Sequence, residues 1–174
     1  MKKELLAPNG KPSNLTAEQY KLVRTPEFKK WFGDWENDPK NASKVIDENG
    51  EPLVVYHGSK TDFFEFDKSR IKDTVRWEKG FYFTDNFKYA KSYANSLFSK
   101  EKNRNPRAFF LNIEDSYAIH KHSDRTEYVA FEPNQIKLAD GTNTTFDKNN
   151  NDIRFEKGGI ADSGTPDYLK FLIG

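Results

Sequence analysis

The sequence has no cysteine, a single methionine and no long apolar run. The lack of cysteine excludes disulfide bonds, thiolate zinc sites and thiol nucleophiles. No segment approaches the roughly 20 apolar residues of a transmembrane helix, and the first 14 residues begin with lysines but lack the apolar stretch of a secretion signal. We therefore expect a soluble intracellular protein with no membrane association.

An excess of either charge is also missing, since 28 Lys and Arg residues nearly balance 27 Asp and Glu residues. Any binding of nucleic acid would therefore depend on a local patch. Phe and Tyr are abundant, at 15 and 8 residues, which favours a β-rich core. The length suits one domain. We assign residues 1–14 to a flexible N-terminal arm, 15–157 to the domain and 158–174 to a C-terminal linker or tail.

The first half of the domain predicts two short helices and a hairpin. Residues 16–19 have the spacing of a capping box, which opens a helix that runs to Val23. A second helix is predicted from Thr25, with proline at its first position, to Gly33. Residues 44–47 and 53–56 flank Asn49-Gly50, the signal of a β-hairpin.

The second half predicts strands around one helix. Residues 80–84 form an aromatic strand, and Asp85 is the expected N-cap of the next helix. Further strands are predicted at 108–113, 117–119 and 127–131, with Ile136 continuing the pattern and a last short strand within 146–155. The fold class is α+β, with a β-sheet core, N-terminal helices and one helix between strands.

Three strand-borne polar groups recur along this pattern. His57 follows an apolar run, with Gly58 and Ser59 directly after it; Tyr82 lies within the aromatic strand; Glu127 begins a later strand. A lone histidine at a strand end is more often structural than functional. The three segments together make a stronger signal.

Those segments, VVYHGS, GFYFTDNFKYAKSYA and TEYVAF, resemble in order the signature segments of ADP-ribosyltransferases of the His-Tyr-Glu class, the diphtheria-toxin and poly(ADP-ribose) polymerase type. Tyr93, eleven residues after Tyr82, matches a second family tyrosine. More broadly, RTPEFKKWFGDW, VIDENGEPLVVYHGS, FEPNQIK and NNNDIRF look like the ADP-ribosyltransferase-like domains of phage and mobile-element polyvalent proteins. The resemblance covers about residues 22–155 and implies that family's split β-sheet.

The resemblance implies NAD as a consumed substrate and Glu127, His57 and Tyr82 as catalytic residues. Cleavage of the bond between nicotinamide and ribose passes through an oxocarbenium-like sugar, which a fixed carboxylate stabilises. Glu127 would supply that carboxylate. By resemblance, it would also hold the ribose 2′-hydroxyl and orient or deprotonate the acceptor.

The remaining NAD contacts follow from the same resemblance. Tyr82 and Tyr93 would flank the nicotinamide ring, and Gly58 would let the backbone pair with the carboxamide. His57 would donate to the adenosine ribose, with Ser59 in support. The family serine that contacts the carboxamide falls at Ala90, so Ser92 or Ser59 would have to replace it.

The other polar groups give weaker indications of function. His120 and His122 are expected to be solvated loop residues, and no metal site is expected, because no carboxylate or cysteine spacing completes one. A basic stretch at 100–107, with Lys88 and Lys91 nearby, is expected to be a solvated turn, although it could contact NAD phosphates or nucleic acid. Residues 61–79 resemble a lid that would select the acceptor.

We expect a monomeric enzyme that transfers a single ADP-ribose from NAD to a host protein in the bacterial cytoplasm, encoded by a phage or mobile element. Two alternatives stay open. The acceptor could be DNA or RNA, or the domain could be a catalytically degenerate NAD- or ADP-ribose-binding module of a larger phage protein. Ala90 favours the second alternative.

Overall fold

A computed structural model describes residues 3–71, 79–95, 103–140 and 146–154. It confirms both N-terminal helices, α1 (Ala17–Leu22) and α2 (Pro26–Phe32). At α1, the Thr16 side chain accepts the amide proton of Gln19, and the Gln19 side chain accepts that of Thr16. Thr25 caps α2, and Gly33 ends it with a φ of 103°. Local capping chemistry therefore fixes both helices as predicted.

The core is a six-stranded antiparallel sheet, which confirms the α+β class. Its strands, in chain order, are β1 (Val55–His57), β2 (Phe81–Thr84), β3 (Arg107–Leu111), β4 (Ile119–Lys121), β5 (Thr126–Ala130) and β6 (Ile136–Leu138). They lie in the order β4-β5-β2-β1-β3-β6, and the helix α3 (Phe87–Ala94) connects β2 towards β3. Among the described helices, none is long and apolar enough to cross a membrane.

The sheet consists of two three-stranded halves. The first half-sheet is β4-β5-β2 and the second half-sheet is β1-β3-β6. The neighbouring strands β1 and β2 share one register pair, Tyr56 with Thr84, whereas β2 and β5 share four pairs. The junction between the halves is therefore the weakest part of the ladder.

Two apolar clusters fill the domain. One joins inward-facing residues of both half-sheets, including Val55, Phe83 and Phe109. The other packs α1 and α2 against the second half-sheet through Phe28, Trp31 and further residues, including Phe110 and Phe146. The tryptophans and phenylalanines of residues 22–35 thus dock the helices onto the sheet.

A buried lysine fixes the segment 146–154. The Lys137 ammonium donates hydrogen bonds of 2.7 Å to the backbone carbonyls of Asn150 and Asp152. Burial lowers the pKa of Lys137 to about 8, against a smaller opposing effect of nearby aspartates. The expected last strand is reduced to an isolated bridge between Glu65 and Asp152.

Several local predictions need correction. The N-cap of α3 is Asn86, whose side chain accepts the amide proton of Tyr89, because the Asp85 carboxylate instead accepts that of Thr126 at 2.8 Å. The first arm of the predicted hairpin, residues 44–47, is not a strand. Only Ile46 and Pro52 form an isolated bridge, since a proline cannot donate to a longer ladder.

The predicted strand at 117–119 begins later, at Ile119. It is preceded by a 3₁₀ turn at Ser116–Ala118. Residues 158–174, assigned to a linker or tail, and residues 72–78 of the predicted lid lie outside the described residues.

Residues 3–14, expected to form a flexible arm, pack against the turn at 47–51. Leu6 and Pro12 form an isolated bridge, and the Ser13 hydroxyl donates to the buried carboxylate of Glu51 at 2.6 Å. Arg24 donates to the same carboxylate at 2.8 Å. A buried carboxylate needs hydrogen-bond partners. Because Ser13 is one of these partners, residues 3–14 are held in place.

Candidate active site

The first half-sheet places Tyr82 and Glu127 on one face. Glu127 lies directly opposite Thr84, and Tyr82 lies opposite Val129. Facing residues of antiparallel strands project to the same side, so Tyr82 and Glu127 are diagonal neighbours with a backbone separation of about 7–8 Å. The structure thus brings together two of the three groups that the sequence singled out.

The Glu127 carboxylate is buried, with only 6% of the residue exposed, and it is held by cationic and imidazole donors. Its Oε2 accepts a hydrogen bond from Nε of Arg125 at 2.9 Å, and Nη2 of the same guanidinium lies 2.8 Å from it in an ion pair. Nε2 of His122 lies 3.2 Å from the same oxygen. These contacts fix the carboxylate in position, as stabilisation of a developing charge requires.

Arg125 connects this carboxylate to α3. Its guanidinium carbon lies 3.9 Å from the centre of the Tyr89 ring, and its Nη1 donates to Asp124 at 2.8 Å. The Tyr89 hydroxyl lies 3.0 Å from that of Tyr93. A continuous set of contacts therefore runs from Tyr93 through Arg125 to Glu127.

The turn between β4 and β5 explains why these groups meet. His122 donates its amide proton to the Arg125 carbonyl at 2.8 Å, which leaves Ser123 and Asp124 as a two-residue hairpin loop. His122, Arg125 and Glu127 therefore share one face of the hairpin. Sequence reasoning missed the roles of His122 and Arg125, although the spacing of two residues between Arg125 and Glu127 on a strand already indicates a shared face.

The His57 ring lies on the opposite face of the sheet, among phenylalanines. Its centroid lies 5.1 Å from that of Phe66 and 5.2 Å from that of Phe83. Nδ1 lies 2.8 Å from the Tyr82 carbonyl oxygen, which can only accept a proton. Burial lowers the pKa of His57, the hydrogen bond opposes this, and nearby Arg107 adds to the lowering. The ring is therefore a neutral Nδ1–H tautomer, with Nε2 as an acceptor.

Gly58 lies against the backbone of α3. A Cβ atom at this position would overlap the Ala90 carbonyl oxygen and would lie 2.9 Å from the Ala94 nitrogen. Because Ala90 and Ala94 are both buried there, only glycine allows this close approach of strand and helix. Within the described residues, no hydrogen bond occupies the amide or the carbonyl of Gly58.

The hydroxyls of Ser59 and Ser92 are occupied locally. Ser59 donates to the Thr61 carbonyl at 2.9 Å, and Ser92 donates to the Tyr89 carbonyl at 2.7 Å. Both bonds are short-range and exposed, so either hydroxyl could exchange its partner for a ligand at small cost. Tyr93 is 48% exposed and presents its ring to solvent.

The outer side of α3 carries an open depression of about 330 Å³. It is lined by Lys88, Lys91, Ser92, Asn95 and Asn103. This depression contains the two lysines that the sequence suggested as a basic patch. In the described part of the chain, no three His, Asp or Glu side chains converge as they would around a metal ion.

Residues 47–123 match a family model described as ADP-ribosyltransferase in polyvalent proteins. No curated protein and no solved structure matches the chain. The matched range includes His57, Gly58, Tyr82, Tyr93 and His122, but it ends before Glu127.

Proposed function

Because residues 47–123 match a family model described as ADP-ribosyltransferase in polyvalent proteins, we propose that the chain cleaves NAD between nicotinamide and ribose and transfers one ADP-ribose to a protein. The family supports a transferase that consumes NAD. The protein acceptor and the single transfer are our own extension. Glu127, Tyr82 and His57 are the proposed catalytic residues.

One observation carries this proposal: a buried carboxylate on the face that also presents Tyr82. As the nicotinamide leaves, positive charge develops at C1′ of the ribose, and a pre-positioned carboxylate stabilises it without reorganising. Arg125 and His122 hold the Glu127 carboxylate in one orientation. The aromatic faces of Tyr82 and Tyr93 suit the flat nicotinamide cation, with an interaction of about 1–2 kcal/mol.

Backbone and imidazole groups suit the rest of NAD. The Gly58 amide and carbonyl could pair with the two halves of the carboxamide, which a side chain at this position would prevent. His57 already donates through Nδ1 to the Tyr82 carbonyl. In the neutral ring, Nε2 would therefore accept a hydrogen bond from a ribose hydroxyl, whereas the sequence suggested that His57 donates one.

The test is Glu127→Gln, which keeps the shape of the side chain and removes its charge. We expect release of nicotinamide to fall at least about 100-fold, whereas the Kd of NAD changes less than about twofold. Nicotinamide is measured by chromatography and NAD binding by calorimetry. Glu18→Gln, an exposed change on α1, is the matched control. A variant Glu127→Gln with the wild-type rate would refute the assignment.

A second candidate is a module that binds NAD or ADP-ribose without cleaving it. Two observations favour it: Arg125 compensates the charge of Glu127, and Ala90 stands where the family has a serine. In that case the wild-type protein would bind NAD and release no nicotinamide over hours. The same measurement therefore decides between the two functions.

A further inference from the structure

His122 lies beside Glu127, at the exposed end of the hairpin formed by β4 and β5. We infer that His122 is the general base of the transfer step and that the acceptor is a hydroxyl group of a protein side chain. This inference rests on the proposed function, because it needs a ribose held against Glu127.

The geometry resembles a histidine oriented by a carboxylate. Nε2 of His122 lies 3.2 Å from Oε2 of Glu127, and a carboxylate can only accept, so a neutral ring here bears its proton on Nε2. Nδ1 has no partner among the described residues. A carboxylate that fixes the tautomer of an imidazole, and leaves the other nitrogen available as a base, is the arrangement that activates hydroxyl nucleophiles in hydrolases.

His122 and Glu127 differ in how far their side chains are exposed to solvent. The His122 side chain is 42% exposed, whereas that of Glu127 is 8% exposed. Oε2 of Glu127 also accepts a hydrogen bond from Nε of Arg125 and forms an ion pair with its Nη2. Glu127 is therefore placed to stabilise charge at the ribose, while His122 is placed to meet an acceptor that approaches from solvent.

The charged groups around His122 favour a neutral acceptor. Glu127, Asp124 and Asp85 are carboxylates on or beside this hairpin, and Arg125 is the cation paired with the first two. His120 faces Glu127 across the strands, and α3 contributes Tyr89 over Arg125. Glu127 and Asp124 outnumber the Arg125 guanidinium on this face, and Lys121 lies on the opposite face of the hairpin, so the rim repels a carboxylate acceptor and repels the phosphates of nucleic acid more strongly.

The need for a general base also favours a hydroxyl acceptor. A carboxylate or phosphate acceptor is already ionised and needs no base, whereas a hydroxyl must lose its proton as it attacks. The hydroxyl oxygen would bond to C1′ of the ribose, and the bond from C1′ to the nicotinamide nitrogen would break, with its electron pair leaving on nicotinamide. The hydroxyl proton would pass to Nδ1 of His122, and from there to solvent.

The experiment uses the full chain, NAD, and three peptides that differ in one residue: serine, glutamate or arginine. A 5′-phosphorylated oligonucleotide serves as a fourth acceptor. We expect the serine peptide to be modified, with a linkage that resists neutral hydroxylamine, a reagent that cleaves the ester formed by a glutamate. Mass spectrometry locates the modification.

His122→Gln keeps a donor for Glu127 but cannot accept a proton. We expect kcat for the serine peptide to fall about 100-fold, with the Kd of NAD unchanged within twofold. The wild-type rate should rise with pH, and this rise should be absent in His122→Gln, whose side chain does not ionise. Added imidazole should restore part of the activity of His122→Ala. Lys121→Gln, on the opposite face of the hairpin, is the control.

The outcomes separate this inference from the proposed function. Without nicotinamide release by the wild type, the proposed function itself is refuted. With nicotinamide release but modification of glutamate, arginine or the oligonucleotide, only the hydroxyl acceptor is refuted. An unchanged rate and pH profile in His122→Gln would refute the role of His122.

Discussion

The two half-sheets are covered in opposite ways. On the second half-sheet, α2 packs buried aromatic rings: Phe28 contacts Trp31, Phe32, Phe110 and Phe146 with centroids 5.0–5.8 Å apart. Over β1 and β2, at the junction of the two half-sheets, α3 leaves Phe87 and Tyr93 41% and 48% exposed, and charged groups contact Glu127 on the first half-sheet. Buried aromatic packing stabilises one side, whereas the other side keeps aromatic and charged side chains accessible to solvent.

Truncating one phenylalanine on each side tests whether the two sides contribute unequally to stability. Phe28→Ala should reduce the free energy of unfolding by about 3–5 kcal/mol, because it leaves a cavity among buried rings. Phe87→Ala should cost less than about 1.5 kcal/mol, since that ring is already 41% exposed and contacts Tyr56 at 5.2 Å. Urea denaturation measures both, and equal losses would contradict the comparison.

A pair of glycines tests the contact between β1 and α3. Gly58→Ala should force α3 away from the sheet, reduce the free energy of unfolding by about 1–3 kcal/mol and raise the Kd of NAD at least about tenfold. Gly50→Ala meets no neighbouring atom but is strained by a φ of 82°, at a cost of about 1–2 kcal/mol. Its NAD affinity should stay at the wild-type value. Calorimetry that finds both variants equally weak would contradict a local role for Gly58.

The smallest expected effect is the contribution of His57 to the pH dependence of the free energy of unfolding. Because burial lowers its pKa in the folded state, the unfolded chain binds a proton more readily below the ordinary value of about 6.5. The free energy of unfolding should therefore fall as the pH drops from 6.5 to 5. Denaturation of His57→Gln over this range should show a shallower decline. Parallel curves for the two proteins would mean that His57 is not buried as a neutral ring.

The sequence predicted the parts of the fold that depend on neighbouring residues. The caps of α1 and α2 and the ending at Gly33 were correct, because each needs only a few adjacent residues. The hairpin at 44–56 was only partly correct, since Pro52 limits its ladder to one bridge. Capping of α3 was misplaced by one residue because Asp85 bonds to Thr126, a partner 41 residues away.

In the candidate site, too, the sequence predicted single residues but not the contacts between distant segments. Tyr82 and Glu127 could be named from their segments, yet their shared face depends on the register of β2 and β5. The contact of His122 with Glu127 depends on a two-residue loop that no sequence motif predicted. The surroundings of His57 depend on Phe66, from a long loop whose path the sequence does not specify.

The strand order has a consequence for how such a domain can change through recombination. The second half-sheet takes the first, third and sixth strands of the chain, and the first half-sheet takes the second, fourth and fifth. Neither half is a contiguous stretch of the gene, so a crossover cannot transplant the half that carries Tyr82 and Glu127 without its packing partner. New specificities must therefore arise in the connections, such as the two-residue loop beside His122, while the interleaved strands are inherited as one unit.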